Sequence, residues 1–160
     1  MLLRSAALPN RVYGSALNNS IRYRSPTIAG FSGMATYSLG EKTDASVVSG
    51  SSFSGALTYK QGGFSGSVGT FQTRDASTTN GNLEEYALGA AYQMDTVRLY
   101  SMFTQVGYDK GTKARVRTTE VGMNYNLTPS WVLGTGFQAQ TRRGLEGAQQ
   151  VTVTLDYLLS

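Results

Sequence analysis

At 160 residues the chain has the size of one domain, and it contains no cysteine and no histidine. That excludes disulfides, any catalytic triad or dyad built on imidazole, and the usual thiolate and imidazole metal sites; its carboxylates are scattered. Fourteen basic and 10 acidic residues leave a formal charge of +4, 40% of residues are hydrophobic, and no stretch approaches the about 20 apolar residues that a membrane helix needs.

Residues 1–17, with Pro9, Gly14, Arg4 and Arg11, read as irregular. The opening Met1-Leu-Leu-Arg-Ser-Ala-Ala-Leu-Pro9 has no basic region ahead of a long apolar run, so it does not read as a signal peptide. The start of an exported parent is expected upstream. About nine strands then follow, near 18–25, 30–39, 51–60, 64–73, 84–94, 96–107, 115–126, 130–141 and 149–159. Each is close to the roughly 9–11 residues that a tilted strand needs to cross a bilayer. The connections are expected to alternate. Ser25–Gly30, Gln61–Gly63, Met94–Asp95 and Leu127–Pro129 are short; Gly40–Gly50, Asp75–Leu83, Tyr108–Ala114 and Arg142–Ala148 are long and rich in loop-forming residues.

The hairpin 121–137 shows the strand period most clearly. Val121, Met123 and Tyr125 share one parity before the polar turn Asn126-Leu-Thr-Pro-Ser130, and Trp131, Leu133 and Phe137 share one after it. The same alternation sorts every strand. One face takes Ile21, Tyr37, Phe53, Leu57, Leu88, Leu99, Phe103, Val121, Val151 and Leu155, with no charge in its middle. The other takes Arg22, Arg24, Ser52, Ser54, Lys60, Glu85, Arg98, Glu120, Asn124, Gln138, Gln140, Thr152, Thr154 and Asp156. A lipid bilayer covers an apolar face without a second sheet, and charges gathered on the opposite face argue for a wet lumen. Strand 64–73 is the least regular, because Phe71 breaks its parity, and a bulge near Thr70 is the expected reason. A girdle of tyrosines is expected at the short-turn rim: Tyr23, Tyr59, Tyr92, Tyr125 and Tyr157 recur at intervals of 36, 33, 33 and 32. The pattern therefore reads as an all-β, antiparallel up-and-down transmembrane β-barrel wall. Lack of cysteine suits the oxidising cell envelope.

Asn18-Asn-Ser-Ile-Arg-Tyr-Arg-Ser-Pro26, then Gly30-Phe31, Tyr37-Ser-Leu-Gly-Glu41 and Tyr157-Leu-Leu-Ser160, resemble the Gram-negative trimeric porins of the β-proteobacterial general type. The resemblance covers nearly the whole chain and implies an outer-membrane location. It implies a passive channel for small hydrophilic solutes and ions, a homotrimer, and no cofactor. It also implies an internal fragment. The chain would match the sixth to fourteenth strands of a sixteen-stranded barrel, lacking both ends and the terminal Phe, with 1–17 closing a constriction-loop region. Taken alone, such a piece is not expected to form a working channel, since its edges would lie unpaired in lipid. Residues 1–160 are accordingly read as one partial barrel domain.

Pore-lining candidates are Arg22, Arg24, Lys60, Glu85, Arg98 and Glu120. Arg22 and Glu120 are expected near mid-height, and Arg22, Arg24 and Glu120 are the better candidates for ion contact. Lys60, Glu85 and Asp156 read as ordinary solvated wall residues. Paired arginines favour anions, so a weak anion preference is expected. Arg115 and Arg117 have the lipid-facing parity at the far edge of the apolar band, which suits contact with lipopolysaccharide phosphate. Gly62-Gly-Phe-Ser-Gly-Ser-Val-Gly69 lacks the Gly-Lys-Ser/Thr ending of a phosphate loop. Basic and aromatic residues lie on opposite faces, which argues against nucleic acid. A surface receptor or structural barrel, and a soluble all-β binding module, are the competing readings. No catalytic, metal or cofactor residues are identified.

Overall fold

Strands dominate because aromatic and β-branched residues alternate with small polar ones, a pattern that fits a pleated surface better than a helix. The computed structural model describes residues 19–40, 50–77, 81–111, 115–142 and 145–158. Within them the strands are β1 (Ser20–Arg24), β2 (Phe31–Ser38), β3 (Ser52–Gln61), β4 (Phe64–Ser77), β5 (Gly81–Met94), β6 (Val97–Tyr108), β7 (Arg115–Asn126), β8 (Trp131–Arg142) and β9 (Leu145–Tyr157). They form one sheet in sequence order, and every neighbouring pair is antiparallel. β1 and β9 are its edges. No helix among the described residues is long and apolar enough to cross a membrane, which says nothing of strands. The readings on residues 1–18, Glu41, the centre of the 40–50 connection and Leu159-Ser160 fall outside the described residues.

All nine expected strands are present, but two of the four expected long loops are mostly strand. β4 runs to Ser77 and β5 starts at Gly81, while β8 runs to Arg142 and β9 starts at Leu145. The polar composition of 75–83 and 142–148 suggests loop, yet the backbone keeps pairing there. Register shifts between Thr73 and Ser77, and between Gln140 and Arg142, absorb the irregularity. The expected long connections on this side are therefore kept only at 39–51 and 109–114. The two ends differ instead in how far the hairpins reach. On that long end, Asp109 accepts hydrogen bonds from the Asn82 backbone N–H and from Asn82 Nδ2, both at 2.8 Å, tying the start of β5 to the chain after β6.

The expected bulge near Thr70 is not there. β4 pairs with β3 and β5 without a break from Phe64 to Thr73. Phe71 stands opposite Ser54 and Glu85, so it points to the polar face. It is 4% exposed, and Leu83 beside it is also buried. The parity break in the sequence marks an apolar patch on the inner face.

Candidate functional site

Residues directly opposite on neighbouring strands share a face, so the register sorts the side chains. One row runs Tyr37, Phe53; another runs Leu57, Val68, Leu88, Phe103. A third runs Val121, Phe137, Val151. The large apolar residues of these rows are all solvent-exposed in the isolated chain. Contiguous exposed Phe, Leu and Val of this kind mark a surface that something other than water covers. The opposite face holds Thr36, Ser38, Ser52, Glu85, Thr104, Thr118, Gln138 and Gln140, all buried.

Four of the tyrosines follow a regular stagger. Tyr59 lies in line with Gly66 and Ala90, two residues before Tyr92. Tyr92 lies in line with Leu99 and Met123, two before Tyr125; Tyr125 lies in line with Leu133 and Leu155, two before Tyr157. With about 3.3 Å per residue and about 4.8 Å per strand, a level line through them tilts the strands by about 35°, the value of membrane barrels. Tyr23 departs from this line. It aligns with Ala35 and Gly55, four residues before Tyr59 and so two deeper than the trend. Aromatic partners hold the rim: Phe31 and Tyr59 ring centroids are 4.5 Å apart, Tyr59 and Phe64 6.2 Å, and Trp131 and Tyr157 4.9 Å.

The six inner-face candidates do not form one cluster. Arg22 is opposite Thr36 and donates from Nε to its Oγ1 at 3.2 Å, and Arg24 is opposite Met34. Lys60 is opposite Ser65, and Arg98 is opposite Gln93 and Asn124, both near the short turns. Glu120 is opposite Met102 and Gln138, and its Oε2 accepts from Gln138 Nε2 at 3.4 Å. Arg22, next to a Tyr23 that is itself two residues deeper than the rim line, lies three residues inside that line, and Glu120 lies five residues inside it from Tyr125. Glu85 is not a solvated wall residue. It is 0% exposed, with Phe71 opposite on one side and Val106 on the other. Two apolar neighbours across the ladder remove it from water.

A chain of side-chain hydrogen bonds joins β7 to the end of β8. Gln140 Nε2 donates to Thr118 Oγ1 at 3.3 Å, and Arg142 Nε donates to Gln140 Oε1 at 3.2 Å. Tyr100 belongs to the same face, opposite Ala91 and Gly122. Its signal in the sequence is an aromatic at lumen parity facing a glycine. On the outer face, Arg117 donates from Nε to Gln105 Oε1 at 2.9 Å. With Arg115, Thr141 and Arg142 it lines a recess of about 360 Å³ at the long end of the sheet. No group of three or more potential metal ligands exists among the described residues. Among the described residues this arrangement has an exposed apolar side and a buried, hydrogen-bonding polar side.

Comparison with known proteins agrees with that division. A model of a protein family described as Gram-negative porin matches residues 5–160. No match is found among curated proteins.

Proposed function

The chain belongs to the Gram-negative porin family, a family of outer-membrane channels, and we propose that its polar face lines a general diffusion pore for small hydrophilic solutes and ions. The observation that carries this is the division of all nine strands into an uncharged apolar middle outside and a hydrogen-bonding wall inside. Such a pore needs no cofactor: its width sets a size limit and its wall charges set ion preference. The chain supplies a single domain of barrel wall, the channel is a homotrimer, and Tyr59, Tyr92, Tyr125 and Tyr157 mark the interface near the short turns, with Tyr23 slightly inside it. Single-channel recording of the full-length gene product tests the reading. Stable conductance steps are expected, whereas a folded trimer that passes no current would make it a receptor or structural barrel.

Arg22, Arg24, Lys60 and Arg98 outnumber Glu120, Asp156 and the buried Glu85 on this face. A weak anion preference follows. At about 10 Å in water-like dielectric one charge is worth about 0.4 kcal/mol, roughly a factor of two in relative permeability. Replacing Arg22 with Gln is expected to lower the chloride-over-potassium ratio by up to that factor at low salt, with the difference screened away near 1 M. An unchanged reversal potential rejects the role.

The recess lined by Arg115 and Arg117 supports contact with lipopolysaccharide phosphate at the far edge of the apolar band. A charged hydrogen bond to phosphate is worth about 1.5–3 kcal/mol, so Arg115→Ala with Arg117→Ala is expected to cost tenfold or more in lipid affinity. Native mass spectrometry reads this as lost lipid adducts; equal retention by both proteins removes the contact.

A further inference from the structure

The outward apolar face does not stop at the rim tyrosines. From β3 to β9 the level line through them moves two residues toward the short turns for every two strands. A residue directly opposite the tyrosine of the following strand therefore lies one residue past the line. Phe31 stands there opposite Tyr59, Phe64 opposite Tyr92, Val97 opposite Tyr125 and Trp131 opposite Tyr157. Each opens the second strand of a short hairpin, and a residue at the end of the first strand or in the turn meets it. Ile28 exchanges backbone hydrogen bonds with Phe31, Gln61 pairs with Phe64, Met94 pairs with Val97, and the Leu127 N–H donates to the Trp131 carbonyl. All of these except Gln61 are apolar, and all except the half-buried Val97 are exposed. Turns facing water favour small polar residues at such places. Gln61 is the exception, and its Oε1 accepts the Tyr59 hydroxyl, which is thereby led past its own Cα toward the turn.

The height of the face points the same way. On β5 the first outward charge beyond the apolar residues is Glu84, eight residues from Tyr92 and ten from Met94. On β7 it is Arg117, eight residues from Tyr125 and ten from Leu127. At about 2.6 Å of height per tilted residue, a layer starting at the tyrosines is about 21 Å tall, and one starting at the turns is about 26 Å. The apolar band of a membrane barrel is about 25 Å tall, which the second height matches.

Resting on the reading of this face as lipid-facing, we infer that the four short turns are immersed in the leaflet at their end of the sheet. Ile28, Phe31, Phe64, Met94, Leu127 and Trp131 form an apolar ring there against the acyl chains and glycerol of phospholipid. The tyrosine rings lie inside the apolar layer, and their hydroxyls reach outward to its edge, as that of Tyr59 does. The pore mouth on this side then opens level with the headgroups. Continuity selects lipid as the occupant, because on β5 and β7 the outward face crosses the tyrosine line with no polar break. A soluble protein is the rival, and it would leave these residues in water when only lipid is present.

The test reads depth. The full-length gene product is refolded into vesicles of phosphatidylcholine carrying bromine either near the headgroup or deep in the acyl chains. Trp131 probes one turn. Phe31→Trp, Phe64→Trp and Met94→Trp, each combined with Trp131→Phe, probe the other three, and Leu88→Trp in the same background probes the middle of the wall. Each emission is read as the difference from Trp131→Phe alone, and gel mobility identifies the variants that fold; Trp131 itself needs no substitution. The turn probes are expected to lose about half of their emission or more to shallow bromine, and acrylamide should quench them roughly threefold less than in urea. Leu88→Trp should answer to deep bromine instead. A turn probe that acrylamide reaches as freely as in urea, and that bromine leaves untouched, overturns the immersion. If bromine also leaves Leu88→Trp untouched, the lipid-facing reading of the wall fails and the immersion falls with it; a quenched Leu88→Trp beside unquenched turns fails the immersion alone.

Discussion

Arginine in place of Leu88 is expected to cost about 2–4 kcal/mol of stability in lipid, the penalty for a cation at the midplane of a barrel's outer face. Leu88 faces outward between Val68 and Phe103, directly opposite it on either side, and all three are exposed. It stands four residues from Tyr92 on β5, so about 10 Å inside the rim at about 2.6 Å of height per tilted residue. That is near the centre of an apolar band about 25 Å tall. Total stabilities are only about 5–15 kcal/mol, so the folded fraction should fall sharply. The comparison variant is Ser67→Arg, next to Val68 on the other face and itself exposed. There the guanidinium meets water and should be nearly neutral. Urea midpoints of refolded protein in lipid, followed by Trp131 fluorescence and by gel mobility, measure both. A larger loss for Ser67→Arg would mean that the two faces have been assigned the wrong way round, and equal losses would remove the division between them.

The division of faces is legible in the sequence because strand side chains alternate with period two. Val121, Met123 and Tyr125 announce it without help from any neighbour. Features set by a partner strand are not legible in this way. Glu85 has the parity of a lumen residue, and its complete burial depends on Phe71 and Val106 across the ladder. Phe71 violates the pattern in the sequence, and the violation is a placement and not a slip of register. Strand ends fail for another reason. Loop-forming residues mark where side chains meet water on both faces, but they do not stop backbone pairing, so β4, β5, β8 and β9 overrun the predicted ends. Tyr23 left a trace that recurrence alone does not interpret. Its interval to Tyr59 is 36 residues, against 33 for the next two. The extra length lies with the connection from Ser25 to Gly30, longer than the two-residue turns after β3 and β5, and the register on β1 shows Tyr23 deeper as a result. The inner position of Tyr100 follows from parity, but the reach of its phenol over Gly122 toward Gly136 depends on the side chains that those glycines lack.

Valine in place of Gly30 is expected to be as damaging as the buried-in-lipid arginine, through the backbone alone. Ile28 and Phe31 exchange both backbone hydrogen bonds, at 2.8 and 2.9 Å, which leaves Ala29 and Gly30 as a two-residue turn. Their φ angles are +50° and +86°. Positive φ at both central positions is the type I′ turn, whose twist matches the hairpin and which favours Asn-Gly. A side chain in this region costs about 1–2 kcal/mol, and a β-branched one more. The space is also closed: a Cβ on Gly30 would stand 2.5 Å from the Lys60 carbonyl oxygen and 3.0 Å from Tyr59 Cε2. The carbonyl belongs to the strand that receives Gly30, whose own oxygen accepts the Lys60 N–H at 2.9 Å. It cannot yield without breaking that pairing and moving the Tyr59 ring from Phe31. Forced overpacking adds about 1–3 kcal/mol, for a total of about 2–5 kcal/mol. The adjacent position carries the opposite sign. Ala29 already bears the strain of a left-handed L-residue, so Ala29→Asn should return about 1 kcal/mol by meeting the preference of the turn. Urea midpoints that fall for Gly30→Val and rise for Ala29→Asn are the expected pair. If Gly30→Val leaves the midpoint unchanged, the β1–β2 turn is not of this type, and the placement of Tyr59 against it is wrong as well.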